Sequence, residues 1–128
     1  DPGDYVGLLV YLPPDDPTFA TSLERAREAL GARTQCATMF GYGPRYLHST
    51  GQLHKGGPNT GVFILVTAEA EEDLAIPGEP FSFAVLEMAQ AIGDFQSLDH
   101  TGRRALHLHL PRRDPRLLDR IVERLTSA

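Results

Sequence analysis

The chain has 128 residues, one cysteine and no tryptophan, with 17 acidic against 12 basic side chains and a formal net charge of −5. That length supports one domain with a core of its own, the lone Cys36 excludes an internal disulfide, and the evenly spread charge lacks the basic footprint of a nucleic-acid binder. No apolar run reaches the ~18–20 residues of a membrane span and no secretory signal is visible, so no membrane partner is expected and a cytoplasmic protein is the default reading.

The first residue is Asp rather than Met, and Asp1-Pro-Gly-Asp4 reads as an exposed linker from something N-terminal, with the domain itself over residues 5–128. Tyr5 to Leu12 is apolar on both faces, as expected of a buried parallel strand. Pro13-Pro14 ends it. Asp16 is placed to cap a helix with Pro17 in its first turn, lined by Phe19, Leu23, Ala26 and Leu30 and closed by Gly31. Thr34 to Phe40 follows as a second strand, in which Cys36 reads as a small buried apolar residue.

Gly41 to Pro58 (GYGPRYLHSTGQLHKGGP) is the stretch densest in functional groups, and it holds the only lysine of the chain. Gly41, Gly43 and Pro44 end the strand and permit a sharp turn, Arg45 to Lys55 reads as a short helix, and Gly56-Gly57-Pro58 stops it. On that helix His48 and Gln52 share a face, whereas His48 and His54 diverge, which argues against a two-histidine metal site. The stretch leaves the carboxyl end of a strand, the edge at which open α/β sheets bind ligands.

Gly61 to Ala68 is a third strand apolar on both faces, and Glu69 to Pro80 reads as a solvated acidic loop. Pro80 opens a helix whose Phe83, Leu86, Ala89 and Ile92 recur at helical spacing to about Gly93, with a shorter helical turn over Asp94 to Leu98. Arg104 to Leu110 (RALHLHL) alternates, leucines on one face and His107 and His109 on a wetter one. Two imidazoles on one face would need a third ligand to hold a metal, and no spacing compels one, so neither metal nor cofactor is expected. Asp114-Pro115 starts the last helix, with Leu117, Leu118, Ile121, Val122 and Leu125 as its buried stripe. The βαβαβαβα order predicts a three-layer α/β/α sandwich with a mostly parallel, flavodoxin-like sheet.

The dense stretch, together with IPGEPFSF (Ile76 to Phe83), AQAIGDFQSL (Ala89 to Leu98) and the arginine-led strand, resembles the C-terminal sugar-isomerase (SIS) domain of phosphoglucose isomerase. The likeness is nearest to the form found in transaldolase/phosphoglucose isomerase fusion proteins, and it covers roughly Asp4 to Leu110. It implies a SIS-like fold, an aldose–ketose isomerisation of glucose 6-phosphate and fructose 6-phosphate in the parent protein, and a role in carbohydrate metabolism. His48-Ser-Thr-Gly-Gln52 is similar to the family's histidine segment, whose imidazole moves a proton when the sugar ring opens. By the same likeness Lys55 is a catalytic candidate, and Arg45, Ser49, Thr50 and Gln52 are candidates for binding sugar or phosphate. The family's helix lysine has no counterpart in IPGEPFSFAVLEMAQA, where Glu87 stands at the equivalent position.

The family's general-base glutamate and its phosphate-cradling loop belong to an upstream SIS domain. The partners implied are therefore a sugar phosphate, upstream SIS and transaldolase domains, and a second subunit at a homodimer contact. The fragment alone is expected to be inactive. The alternative reading is a non-catalytic phosphosugar-binding or scaffold module attached to a transaldolase.

Overall fold

The computed structural model describes residues 3–12, 16–48, 51–70 and 73–127. Four strands, β1 (Tyr5–Tyr11), β2 (Ala37–Tyr42), β3 (Gly61–Ala68) and β4 (Arg104–Leu110), form one sheet in the order β2-β1-β3-β4, every pair parallel. The helices are α1 (Pro17–Thr34), α2 (Gly51–Gly56), α3 (Phe83–His100) and α4 (Pro115–Ser127), with a 3₁₀ turn over Arg45–His48 before α2. The result is a Rossmann- or flavodoxin-like α/β/α sandwich.

Side chains alternate across the sheet, so the two central strands feed two cores. Leu8, Val10, Ile64 and Val66 meet Phe19 and Leu23 of α1 and Leu118 and Val122 of α4 on one face. Leu9, Tyr11, Phe63 and Leu65 meet Tyr46 from the 3₁₀ turn and Ala91 and Leu98 of α3 on the other. Burial on both faces explains why β1 and β3 are continuous apolar runs.

Helix α1 starts as expected: the Asp16 carboxylate accepts from the Thr18 amide at 2.9 Å, and Pro17 occupies the first turn. It does not stop at Gly31. The helix runs on to Thr34 and ends where Gln35 adopts a left-handed φ of 58°. The second strand consequently begins at Ala37, later than expected, and passes through Gly41 to Tyr42. Cys36 lies before the strand and is half-exposed rather than buried.

Helix α3 begins at Phe83, with the Ser82 hydroxyl accepting from the Val85 amide at 3.3 Å, and continues unbroken through Asp94 to His100. Its buried side carries Ala91, Asp94 and Leu98. The expected stripe of Phe83, Leu86, Ala89 and Ile92 faces outward, with Phe83 52% exposed. The reason is that α3 is apolar on more than one side, so the sheet beneath it, not periodicity, selects the face that is buried. Asp4, read as linker, is tied to the domain by Arg104 Nη1 at 2.9 Å, and that hydrogen bond holds its carboxyl well below the usual carboxylate range.

Candidate functional site

The chain steps from β1 outward to β2, then back past β1 to β3 and β4, so β1 and β3 flank a topological switch point. Carboxyl ends of strands on either side of such a point leave a crevice that loops can furnish. Tyr11 ends β1 and Thr67 and Ala68 end β3, and all three line a cavity of about 480 Å³ closed by Glu69, Asp73, α3 residues from Ala84 to Ile92, and Arg113. Glu69, Ala70 and Asp73, from the stretch read as a plain solvated loop, thus supply part of a crevice wall.

The stretch that begins at Gly41 leaves the neighbouring strand end, that of β2. The Gly43 amide donates to the Val10 carbonyl at 2.7 Å, extending the sheet by one link, and the Gly43–Pro44 peptide is cis. A side chain at Gly43 would collide with the Tyr11 ring, which is why glycine is needed there. Tyr11 and Tyr46 then meet edge to face at 6.1 Å between ring centres.

Two long-range contacts seat α2. His54 is 2% exposed and its Nδ1 lies 2.8 Å from the Tyr5 hydroxyl, with Phe63 against the ring at 4.9 Å. Burial pushes the His54 imidazole below its ordinary range. Lys55 Nζ stands 2.6 Å from Asp94 Oδ1, although neither Asp94 oxygen accepts an aligned hydrogen bond. Asp94 is 4% exposed, and burial pushes its carboxyl up to about 6 while drawing the Lys55 ammonium down. Beyond α2, Arg103 donates to the Lys55 and Gly57 carbonyls at 2.8 and 2.7 Å, fixing the end of the short helix.

Of the candidates read from sequence, Lys55 is thus engaged by α3 rather than projecting alone, and Arg45 is exposed. His48 closes the 3₁₀ turn and Gln52 lies in α2, so the helix expected over Arg45 to Lys55 is two short pieces. Ser49 and Thr50 lie outside the described residues. Glu87 lines the crevice, and burial raises its carboxyl while Arg113 opposes the shift.

Sequence reasoning missed Tyr11, which looked like one more apolar strand residue. It also missed the pairing of Lys55 with Asp94 and of His54 with Tyr5, because partners so distant in sequence leave no local pattern. The Thr67 hydroxyl of β3 lies 2.8 Å from His107 Nε2 and 2.9 Å from His109 Nδ1 of β4, and His109 Nε2 is 3.4 Å from Glu69. The two imidazoles are held by a hydroxyl, and among the described residues no group of three or more side chains is arranged to hold a metal ion. Likewise no described helix is long and apolar enough to cross a membrane.

No protein-family model and no curated protein matches the chain. Among solved structures, a hypothetical protein from Thermus thermophilus superposes with a TM-score of 0.75 at 23% identity, over 95% of this chain. The matched region is 34% of the Thermus chain, so the present sequence spans about a third of that protein. A de novo designed Rossmann-fold protein aligns with a TM-score of 0.52 at 12% identity, over 98% of this chain and 99% of the design. At such identities the likeness carries the fold: a parallel, Rossmann-type sheet with helices on both faces.

Proposed function

We propose that this chain is the C-terminal part of a glucose-6-phosphate isomerase of the SIS type, from a parent that also carries a transaldolase domain. The observation that carries the reading is that the 3₁₀ turn ending at His48 and helix α2, which holds Gln52 and Lys55, follow the carboxyl end of β2, the strand beside β1 and the switch between β1 and β3. Anchors at His54, Lys55 and Arg103 hold the end of that segment against the domain, which is the rigidity an acid–base group requires.

In this reading His48 moves the proton at the ring oxygen as the sugar opens, and Gln52, Ser49 and Thr50 bind sugar hydroxyls. Arg45, exposed at the start of the segment, is the cation for phosphate. Lys55 acts together with Asp94: its ammonium stands 2.6 Å from the Asp94 carboxylate, whose pKa burial raises to about 6, while burial also draws the Lys55 ammonium down. The carbon-bound proton is handled by a glutamate of an upstream domain.

The test is glucose 6-phosphate to fructose 6-phosphate interconversion by the full-length parent and its His48→Ala variant. The expected result is a loss of ~10²-fold or more in a folded variant. Equal rates overturn the role of His48. A second reading, a phosphosugar-binding or scaffold module without chemistry, is favoured by the engagement of Lys55 with Asp94, and a parent without isomerase activity would leave it as the better account.

A further inference from the structure

The crevice between the ends of β1 and β3 contains two polar groups that the fold leaves unsatisfied. Tyr11 is 5% exposed, its phenol oxygen has no hydrogen-bond partner, and it lines the crevice. Arg113, on the same lining, has a buried Nε without a partner. An unpaired buried donor costs about 1–3 kcal/mol, and a fold that carries two on one cavity has a use for them. Burial and the nearby charges of Asp94 and Glu87 keep the Tyr11 phenol protonated, so both groups are donors that call for ligand oxygens.

The rest of the lining narrows the ligand. Glu69, Asp73 and Glu87 stand against the cation of Arg113, so the net field in the crevice is negative. The Asp73 carboxylate is engaged by the Ala84 amide; Glu69, 3.4 Å from His109 Nε2 through one oxygen, keeps its other oxygen, and with Glu87 it supplies the acceptors with capacity for a ligand. A phosphate would carry its charge into this field, while an uncharged polyol offers oxygens to Tyr11 and Arg113 and hydroxyl protons to Glu69 and Glu87. Met88 and its apolar neighbours on α3 give the C–H face of such a ligand a wall to pack against.

We infer that the switch-point crevice is a binding site for an uncharged, polyhydroxylated ligand of the sugar or sugar-alcohol class, recognised by Tyr11 and Arg113 as donors and by Glu69 and Glu87 as acceptors, and that it rejects phosphate. The inference rests on the crevice alone, whose lining includes no described residue of the 41–58 stretch, where the isomerase reading seats its sugar phosphate. A cavity of about 480 Å³ accommodates a six-carbon polyol with solvent.

The experiment is an NMR titration of the isotope-labelled 128-residue chain with sorbitol and, separately, with inorganic phosphate. Sorbitol should produce saturable shifts at the amides of Ala68 to Ala70 and Val85 to Met88, and phosphate should leave them unmoved. Tyr11→Phe should weaken sorbitol binding by about 5–10-fold, the effect of one lost hydrogen bond. The same variant should keep or raise the melting temperature without ligand, since the deleted hydroxyl has no partner to lose. Arg113→Gln gives an independent second loss of binding. Phosphate shifts at these amides, unsaturable sorbitol shifts, or unchanged sorbitol affinity in folded Tyr11→Phe would each overturn the inference. None of these outcomes bears on His48 and the isomerase reading.

Discussion

Lys55 Nζ approaches Asp94 Oδ1 to 2.6 Å across the face of the sheet that α3 covers, joining the candidate loop to the middle of that helix. The carboxylate is almost wholly buried while the ammonium is partly wet, so desolvation falls mainly on Asp94. Its carboxyl is pushed up to about 6 from an ordinary 3.8.

An aspartic acid that holds its proton more tightly when folded favours the folded state most at low pH. Its contribution is complete below about pH 4 and is lost as the pH rises through about 6. Asp94→Asn should therefore gain stability relative to wild type on going from pH 4 to pH 7.5, by about 1–3 kcal/mol. Urea denaturation of both proteins at the two pH values measures it, and parallel pH profiles would remove Asp94 as a titrating group.

Removing the lysine should act in the opposite direction on the same proton. Lys55→Met deletes the cation beside the carboxylate, so the Asp94 titration observed by carbonyl-carbon NMR should move above its wild-type midpoint. A downward or absent movement would mean that the two charges do not interact in solution.

Much of the fold was readable from local pattern. The Asp16-Pro17 start of α1 and the two doubly buried strands each follow from a few neighbouring residues, whereas on β4 Leu106, expected on the drier face, is exposed and His107, expected on the wetter face, is partly buried. Helix α3 was not, because Phe83, Leu86 and Ile92 repeat as regularly as Ala91 and Leu98, and only the sheet decides which set is covered. The loop 41–58 stood out in the sequence by its density of functional groups, and its start at a strand's carboxyl end was legible there too. Its anchors were not, since Tyr5, Asp94 and Arg103 lie far along the chain from the groups they hold and no spacing announces them.

Tyr5→Phe tests the first of these anchors. Loss of the hydroxyl leaves a buried imidazole nitrogen of His54 without its partner, and the expected cost is about 1–2 kcal/mol by urea denaturation at pH 7.5. A variant as stable as wild type would show that the contact contributes nothing.

Thr67→Val tests the bridge between the strand ends. The isosteric change strips one hydrogen bond from each of His107 and His109 while leaving the β3 core face intact, at an expected cost of about 1–3 kcal/mol in thermal or chemical unfolding. Wild-type stability in this variant would assign the two imidazoles to solvent.

Arg103→Met removes the guanidinium that binds the Lys55 and Gly57 carbonyls, and should cost about 1.5–3 kcal/mol, as hydrogen bonds to charged groups do. Amide exchange across residues 54–57 should accelerate more than exchange in β1. Uniform acceleration would instead mark a global loss.

The Arg103 clasp also bears on the order of assembly. It closes loops of 48 and 46 residues, from the entrance of the last strand back to the end of α2. A growing polypeptide that has emerged only as far as β3 can pair β1, β2 and β3, but it has no group to hold those two carbonyls. Loop closure over such a separation is an entropic step that must precede its reward. The candidate site is thus completed late, after α3 has been synthesised, and a ribosome-bound chain ending before residue 103 would display a sheet without a finished loop.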